Sequence, residues 1–399
     1  MKPDKRFTGF LCLLLLAVPC LAGAQEADTL GAFPEEKTPL VRLDGYVKEL
    51  AMLSFTNQLT NVQYDNIIHS RLNSHWTFGP RLTGKADLRV RLFNGSTVRN
   101  TPGYGGVLGE DQGVMDLSWV PLDQPQALLH AQIDRLYLDW EEEKWSLRAG
   151  RQRVNWGKTY VWNPNDLFNA FAYLDFDYEE RPGADAIRFQ YYSSFASGYE
   201  LAYQPHRDWS RSIVGGMYRG NYKGYDYQLL AAHYRQELAL GGGWAGNIKT
   251  LGFKGEATYF RSEGRFLKEP GYLLASMGLD YAFSNSLYVQ AEGLYNGSPL
   301  VRQPGVGLFG SSQIAANNLF PSRAALFLNA SYPLHPLVAV SLGGIQGFEQ
   351  DLRIIIPSVT VSIRENLAFL LMAQLLQARE LRELRLNQNF LFGRIKWSF

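Results

Sequence analysis

The feature that most constrains the fold is a repeated alternation of apolar and polar residues in segments of about ten residues. In segment 85–92, Lys85, Asp87, Arg89 and Arg91 alternate with Ala86, Leu88, Val90 and Leu92. Successive side chains of a β-strand point to opposite faces, so this period of two predicts a strand with one polar and one apolar face. Similar segments follow at 185–192, 253–260, 322–332, 337–347, 353–363, 367–378 and 391–399, and 272–295 is predicted to be a hairpin of two such segments around Ser284-Asn285-Ser286. One such strand fits a soluble sandwich, but the repetition predicts an all-β membrane protein.

The last segment gives the strongest indication of the class of barrel. One of its faces carries Leu391, Gly393, Ile395, Trp397 and Phe399, and the other carries Phe392, Arg394, Lys396 and Ser398. An apolar outer face that ends in an aromatic girdle, with a polar lumen inside, is typical of a transmembrane antiparallel up-and-down β-barrel. The segment resembles the terminal strand of bacterial outer-membrane barrels. The resemblance implies that Trp397 and Phe399 belong to an insertion signal for the barrel-assembly machinery.

The number of segments predicts about 18 strands, with about 16 as the alternative, because single-chain barrels of this kind have even strand numbers. Strand tallies from the two ends of the chain disagree by one element unless 113–119 is not a strand. The boundaries near 95–128 and 237–271 are therefore left open.

The N-terminal residues have the pattern of an export signal. Lys2, Lys5 and Arg6 precede an apolar run at 10–18, and an Ala-x-Ala site ends at Ala24. This predicts a cleaved signal peptide at 1–24, with a retained anchor as the alternative, although the run is too short to span a bilayer as a helix. The polar stretch 25–42 is interpreted as a periplasmic extension, and 43–399 as the barrel of an outer-membrane protein.

Composition excludes several other functions. The chain has 39 Lys and Arg against 38 Asp and Glu, so its charge does not indicate nucleic acid as a partner. Cys12 and Cys20 both lie in the predicted signal peptide, which leaves the mature chain without disulfides or thiol chemistry. The six histidines show no catalytic or metal-binding spacing, so no cofactor and no metal are predicted.

A loop near 155–183 is expected to fold into the barrel. Asn, Gly and Pro interrupt the strand pattern after residue 154, at Asn155, Gly157, Asn163 and Pro164. Trp156, Tyr160, Trp162 and Phe168 within it need a packing surface. These aromatics either pack on the scaffold or offer a stacking surface to a sugar.

The same stretch carries a family resemblance. Its motifs are Gly150-Arg151-Gln152-Arg153-Val154-Asn155-Trp156-Gly157, Asn163-Pro164-Asn165-Asp166 and Phe168-Asn169, followed by 181–188 and 224–227. They resemble segments of alginate-export-type barrels and related uncharacterised outer-membrane proteins. The resemblance implies a monomeric barrel that passes or binds a solute without an energised plug domain.

Strand parity predicts the residues that line the pore: Lys85, Arg89, Arg91, Arg148, Gln152, Arg188, Lys254 and Glu256. Basic residues dominate this set, and rings of Arg or Lys favour anions. The alternative is that they only solvate a water-filled lumen. Parity places Arg151 and Arg153 on the lipid side, so either a bulge at Gly150 turns them inward or they lie at the rim. We favour the bulge, because Asn155 and Trp156 follow directly. The possible solute contacts in the loop are Arg151, Arg153, Asn155, Trp156, Tyr160, Trp162 and Asp166.

The sequence thus predicts a porin or exporter, not an enzyme, that lets a small or polymeric polar, possibly anionic solute pass through a polar lumen. Its expected partners are outer-membrane lipid and a small-molecule or oligosaccharide solute. The alternatives are a binding or assembly barrel, such as a polysaccharide receptor or an adhesin, and an outer-membrane hydrolase with residues that converge only in the fold.

Overall fold

The structure is a computed structural model of the 399-residue chain. It describes residues 40–56, 61–111, 113–170, 180–181, 183–302, 314–349, 351–379 and 385–399. The predicted signal peptide and residues 25–39 of the predicted extension lie outside the described residues. The first strand begins at Val41, within the last two residues assigned to that extension.

Nineteen β-strands form one antiparallel sheet in the described part of the chain. The first half comprises β1 (Val41–Phe55), β2 (Gln63–Thr77), β3 (Leu82–Gly95), β4 (Ser118–Gln124), β5 (Ala127–Glu141), β6 (Trp145–Gln152), β7 (Ala184–Tyr192), β8 (Gly198–Gln204), β9 (Ile213–Tyr222) and β10 (Tyr225–Tyr234). The second half comprises β11 (Glu237–Ile248), β12 (Leu251–Ser262), β13 (Tyr272–Ala282), β14 (Tyr288–Asn296), β15 (Ala324–His335), β16 (Val338–Gly347), β17 (Leu352–Arg364), β18 (Leu367–Arg379) and β19 (Arg385–Ser398). The predicted hairpin at 272–295 corresponds to β13, β14 and the turn between them. Each of the other segments predicted from alternation lies within one strand or extends beyond it by at most two residues.

The sheet closes into a barrel because its first and last strands pair. The β1–β19 ladder runs from Tyr46↔Ser398 to Phe55↔Asn389. Of the 19 strands, β4 pairs only with β5 among the described strands, whereas β3 pairs directly with β5. With β4 set aside, 18 strands remain around the barrel. The predicted transmembrane antiparallel barrel of 18 strands is therefore confirmed.

Strand β4 explains why the two strand tallies disagreed. It pairs with the first half of β5, from Ser118↔Gln132 to Gln124↔Ala127. On the same edge, β6 pairs with the second half of β5, from Leu136↔Arg151 to Glu141↔Ser146. The two strands lie one after the other along β5, so β4 adds an element to the chain without adding a strand to the ring.

The barrel has two different ends. The turn end carries Phe399 and short connections such as 78–81, 223–224 and 365–366, and the loop end carries the connections after β3, β6 and β14. Outward-facing aromatic side chains gather near the turn end, in line with a girdle at a membrane surface. They include Trp76, Trp140, Tyr191, Tyr199, Tyr222, Phe283, Trp397 and Phe399, all of which are exposed.

Two short helices follow β3 at the loop end, α1 (Ser96–Asn100) and α2 (Tyr104–Gly109). Val98 packs with Phe93 and Leu128 in a small cluster that Tyr104 joins. Single 3-10 turns occur at Trp209–Arg211 and Pro299–Arg302. No helix among the described residues is long and apolar enough to cross a membrane.

The strands of the barrel wall are shortest where the chain turns into the lumen. Strands β6, β7 and β8 have 8, 9 and 7 residues, compared with 15 in β1, β2 and β5. After Gln152 the chain leaves the wall instead of continuing towards the loop end. This early departure brings the next segment into the lumen.

The bulge predicted at Gly150 is wrong. Both ladders of β6 pass through Gly150 without a shift, opposite Tyr137 and Ala186. Gly150 is needed for another reason: its φ is +122°, and a Cβ would lie 2.2 Å from the carbonyl oxygen of Leu136. The bulge lies in β5, where Asp134 is the extra residue between the pairs Asp87↔Arg135 and Leu88↔Ile133.

Candidate functional site: a loop anchored across the lumen

Residues 153–170, called the inner loop below, run through the barrel interior. They start at the end of β6 and reach the inner faces of β8, β10, β12, β13 and β14. Most of their side chains are buried, including Trp156, Trp162 and Asn165, which are 1%, 3% and 0% exposed. The lumen is therefore partly filled by a segment that lies against the wall from β8 to β14.

Glu292 of β14 is the principal anchor of the inner loop. Its carboxylate accepts hydrogen bonds from three successive backbone N–H groups, those of Tyr160 at 2.8 Å, Val161 at 3.0 Å and Trp162 at 2.8 Å. Glu292 is 1% exposed. A buried carboxylate needs such donors, and a carboxylate bonded to several N–H groups is held firmly.

Two further glutamates extend this arrangement along the wall. Glu256 of β12 accepts from the backbone N–H of Lys158 at 2.7 Å and from the hydroxyl of Thr159 at 3.1 Å. Glu200 of β8 accepts from the indole N–H of Trp156 at 2.7 Å. We call Glu200, Glu256 and Glu292 the acidic wall, since each presents a buried carboxylate to the inner loop.

Glycines in the wall give the inner loop room to approach. A Cβ on Gly278 would lie 2.9 Å from the ring of Tyr160, and one on Gly215 would lie 2.9 Å from the ring of Trp156. Glycine inside a strand often marks such a close approach. Farther along, the Asn165 amide donates to the carbonyl of Gly242 at 3.0 Å.

The loop aromatics are mostly packed. Trp156 meets Phe168 edge to face at 5.0 Å between ring centroids, and Trp162 meets Phe320 at 5.5 Å. Both tryptophans belong to the main buried apolar cluster. Tyr160 is half-buried, with the Lys254 ammonium 3.9 Å from its ring centroid. Of the two roles considered for these aromatics, the buried tryptophans fit packing.

The opposite side of the lumen is held by ion pairs between side chains. Arg71 of β2 contacts Asp134 at 2.5 Å, Asp87 at 3.0 Å and Glu180 at 2.8 Å. Arg89 of β3 also contacts Asp134, at 3.1 Å. The bulge at Asp134 lets this carboxylate point into the lumen between the two arginines. We call Arg71, Asp87, Arg89 and Asp134 the paired wall.

The paired wall continues towards the loop end through His130. Its Nδ1 lies 3.1 Å from the Arg91 guanidinium and its Nε2 lies 2.9 Å from the hydroxyl of Ser118. Because the guanidinium can only donate, Nδ1 accepts and Nε2–H donates to Ser118. This chain of bonds ties β4 to β5 and β3.

The pore-lining residues predicted from parity all project from the inner face, but few line open space. Arg89, Arg91, Gln152 and Glu256 are 4%, 5%, 0% and 1% exposed. Side chains with more exposure are Arg148 at 28%, Lys85 at 20% and Arg188 at 16%. Arg148 is ion-paired with Asp139, Lys85 with Asp87 and Arg188 with Glu200.

Arg151 points to the outer side of the wall, the side that strand parity predicted, but it is buried there and does not face lipid. Its guanidinium is 3% exposed and bonds Asp185 of β7 at 2.6 Å and Asp111 at 2.7 Å. Asp111 also accepts from the N–H groups of Gly113 and Leu117, at 2.8 and 2.9 Å. Burial alone would raise the pKa of Asp111, but these hydrogen bonds and the Arg151 charge hold it below its usual value. The connection that precedes β4 thus covers Arg151 on the outer side of the wall.

The remaining loop residues differ in exposure. Arg153 and Asn155 are exposed. Asp166 is buried and ion-paired with Arg181 at 2.8 Å. Among the described residues, no group of three or more His, Cys, Asp or Glu side chains is arranged to hold a metal ion.

Sequence reasoning missed Glu200, Glu292, Arg71 and Asp134. Each occupies an inward-facing position, and the sequence alone does not distinguish such a residue from one that is simply solvated in the lumen. Two signals were present: glycines inside the strands facing the inner loop, and a concentration of inward acids on β8 to β14 opposite the arginines of β2 and β3.

A closed 18-stranded membrane barrel whose lumen is crossed by an anchored inner loop is a porin-type architecture. Comparison with solved structures gives the same fold. The chain aligns with Acinetobacter baumannii OccAB1 at a TM-score of 0.56 and 8% identity, covering 90% of this chain and 97% of that one. It aligns with Pseudomonas aeruginosa OccK5 (OpdH) at 0.56 and 10%, covering 90% and 98%, and with Pseudomonas aeruginosa OccD3 (OpdP) at 0.53 and 10%, covering 90% and 91%. No protein-family model and no curated protein matches the chain.

Proposed function

We propose that the chain forms an outer-membrane channel that lets a small polar solute pass passively. The observation that carries the proposal is the inner loop, which three wall glutamates fix across the lumen. A fixed loop narrows a pore to a defined size and leaves its remaining surface polar. The fold of the Occ structures supports the same class of function.

The solute that best fits the accessible charges is an anion. Arg148 and Arg188 are partly exposed near the start of the inner loop, and Arg153 is exposed within it. Cations around a constriction attract anions from solution. Their pairing with Asp139 and Glu200 moderates this field, so we expect a modest preference rather than strict selectivity.

Several parts of the proposal rest on the sequence. Residues 1–24 would direct export and be cleaved, and 25–42 would extend into the periplasm. Trp397 and Phe399 would be read by the barrel-assembly machinery, and the barrel would act as a monomer. The likeness at 150–169 to alginate-export-type barrels leaves an exporter of a polymeric solute as the finer alternative, and the Occ structures give this alternative no support.

The test is single-channel conductance of the refolded mature protein in a planar bilayer, with a salt gradient to read ion selectivity. We expect a steady open conductance that favours anions. An Arg148→Ala and Arg188→Ala variant should shift selectivity towards cations, because Asp139 and Glu200 lose their partners. A Lys223→Ala and Lys249→Ala variant removes two charges from turns at the turn end and should leave selectivity close to wild type.

A folded barrel that never conducts would overturn the channel proposal. The binding or assembly barrel would then be the better account of the fold, with the hydrolase as a further alternative.

A further inference from the structure

Three neighbouring connections at the loop end form one surface, which we call the basic rim: residues 205–212, 235–236 and 261–271. The N–H of Arg235 donates to the carbonyl of Ser212 at 3.0 Å, and the N–H of Glu263 donates to that of Gln236 at 2.9 Å. The Glu263 carboxylate also lies 2.7 Å from His233, whose ring stacks on Trp209 at 5.1 Å. The connections are therefore held together as a unit.

The basic rim carries an excess of positive charge. Its six cationic side chains belong to Arg207, Arg211, Arg235, Arg261, Arg265 and Lys268. Its three acids are already engaged: Asp208 by Ser210, Glu263 by His233 and Glu269 by Arg265. The described connections after β3 and β16 have the opposite balance, with Glu110, Asp111, Asp116, Glu349 and Asp351 against Arg99 alone. The positive charge of the basic rim thus contrasts with the negative charge of these two connections.

Large apolar side chains lie between the cationic side chains of the basic rim. Leu267, Trp209 and Phe266 are 94%, 58% and 44% exposed. The Arg261 guanidinium bonds the carbonyl of Phe266 and lies 4.2 Å from its ring centroid. Exposed apolar side chains beside several cations are unfavourable on a surface that faces water but typical of a membrane interface.

The position of the basic rim matches a membrane surface. His233 shares the outward face of β10 with Leu229, which is 61% exposed in the apolar belt. Four residues separate them, or about 13 Å along the strand at ~3.3 Å per residue. The cations therefore lie just beyond the apolar belt, at the level of lipid headgroups.

We propose that the basic rim binds phosphate-bearing lipid headgroups of the leaflet that surrounds the loop end. Guanidinium groups of Arg207, Arg211 and Arg235 contact the phosphates, for which their planar fork is well suited. Trp209, Phe266 and Leu267 enter the region of the acyl chains. Such binding fixes the height of this side of the barrel in the membrane.

The experiment uses the mature protein folded in phosphatidylcholine nanodiscs, with phosphatidylglycerol as the probe and native mass spectrometry as the measure of bound lipid. Wild type should bind phosphatidylglycerol in preference to phosphatidylcholine. R207Q/R211Q/R235Q, which changes three exposed side chains, should weaken that binding on the order of tenfold. The matched control K223Q/K249Q/R364Q removes three cations at the turn end and should bind as wild type.

Two further arms separate the lipid from a soluble anion. F266S/L267S, which changes exposed loop residues only, should also weaken phosphatidylglycerol binding, whereas inorganic phosphate at millimolar concentration should not displace the lipid. The proposal is overturned if R207Q/R211Q/R235Q binds as wild type. It is equally overturned if phosphate alone displaces the lipid and F266S/L267S has no effect.

Discussion

On the β2–β5 side of the lumen, Arg71 is surrounded by carboxylates of Asp87 and Asp134, whereas on the β8–β14 side Glu292 is surrounded by backbone N–H groups of the inner loop. Both sets of charges are almost fully buried. In the paired wall each charge is balanced by another side chain of the wall. In the acidic wall the carboxylates of Glu256 and Glu292 are balanced by hydrogen-bond donors of a different segment, so the same buried carboxylates also position a loop. Glu200 combines both arrangements, since it accepts from Trp156 of the inner loop and is ion-paired with Arg188.

The buried charges of the two walls therefore have different roles. The paired wall ties neighbouring strands to one another and contributes to the integrity of the barrel. The acidic wall decides where the inner loop lies and hence the width of the lumen. Substitutions in the first should act mainly on stability, and substitutions in the second should act on conductance as well.

The largest effect is expected from Arg71→Met. It leaves Asp87 and Asp134 buried without their principal partner, and breaking a buried ion pair from one side costs about 3–5 kcal/mol. Urea unfolding followed by tryptophan fluorescence measures the change. Arg81→Met is the control, because Arg81 is 62% exposed in its pair with Glu142 and should cost ~0–1 kcal/mol. Equal effects of the two would mean that the paired wall is not a coupled network.

A somewhat smaller loss of stability, about 2–3 kcal/mol, is expected from Glu292→Gln. The amide keeps one acceptor oxygen but directs an NH₂ group at loop N–H groups that, among the described residues, donate to Glu292. The freed loop should raise single-channel conductance and become cleavable by trypsin after Lys158. Glu269→Gln, at an exposed loop residue, should change neither property. An unchanged conductance would contradict the role of Glu292 as an anchor.

A compensating substitution tests whether the charges of the paired wall are coupled to one another. Asp134→Asn added to Arg71→Met removes one stranded charge and should restore about 1–2 kcal/mol, whereas distant changes add within ~0.5 kcal/mol. Asp226→Asn, at an exposed position bonded by Asn221, is the matched control and should restore nothing. A double-mutant cycle with no coupling would show that Asp134 does not depend on Arg71.

A loss of about 1 kcal/mol is expected from Gly278→Ala, because the added methyl group would press on the Tyr160 ring. Gly293→Ala is the control, since a Cβ there meets no atom within 4 Å. The difference in unfolding midpoint between the two variants measures how closely the loop approaches the wall. Equal unfolding midpoints would indicate that the inner loop shifts away from the added methyl group without loss of stability.

The smallest expected effect is a pH dependence at Asp111, whose carboxylate is bonded both by the Arg151 side chain and by backbone N–H groups. The pKa of Asp111 is lowered in the folded protein, so its contribution to stability is present above the ordinary carboxyl pKa and is lost as pH falls through the lowered value. Hydrogen exchange at 113–117 should therefore increase at acidic pH. Asp111→Asn should remove this dependence, and Asp116→Asn should retain it. The opposite pattern would exclude the Asp111 bonds as the cause.

The sequence predicts the strands well because the lipid and the lumen impose opposite polarities on alternate residues, as at 85–92. It predicts an inward loop because aromatics at 156–168 interrupt that alternation. It does not reveal that Glu292 holds residues 160–162, since nothing local distinguishes this glutamate from a solvated one. It also conceals the position of β4, because strand pattern alone does not state whether Ser118–Gln124 joins the ring or lies in line with β6.

The pairing of β1 with β19 makes the ring continuous, with Gly45 and Phe399 exchanging two backbone hydrogen bonds of 2.9 and 3.0 Å. The first and last strands are therefore neighbours, and the strand pairs alone do not require the termini to lie between β1 and β19. A circular permutant joined there and opened between β16 and β17 keeps every strand pair but no longer ends on Phe399. Such a molecule would separate the thermodynamics of the barrel from its delivery into the membrane.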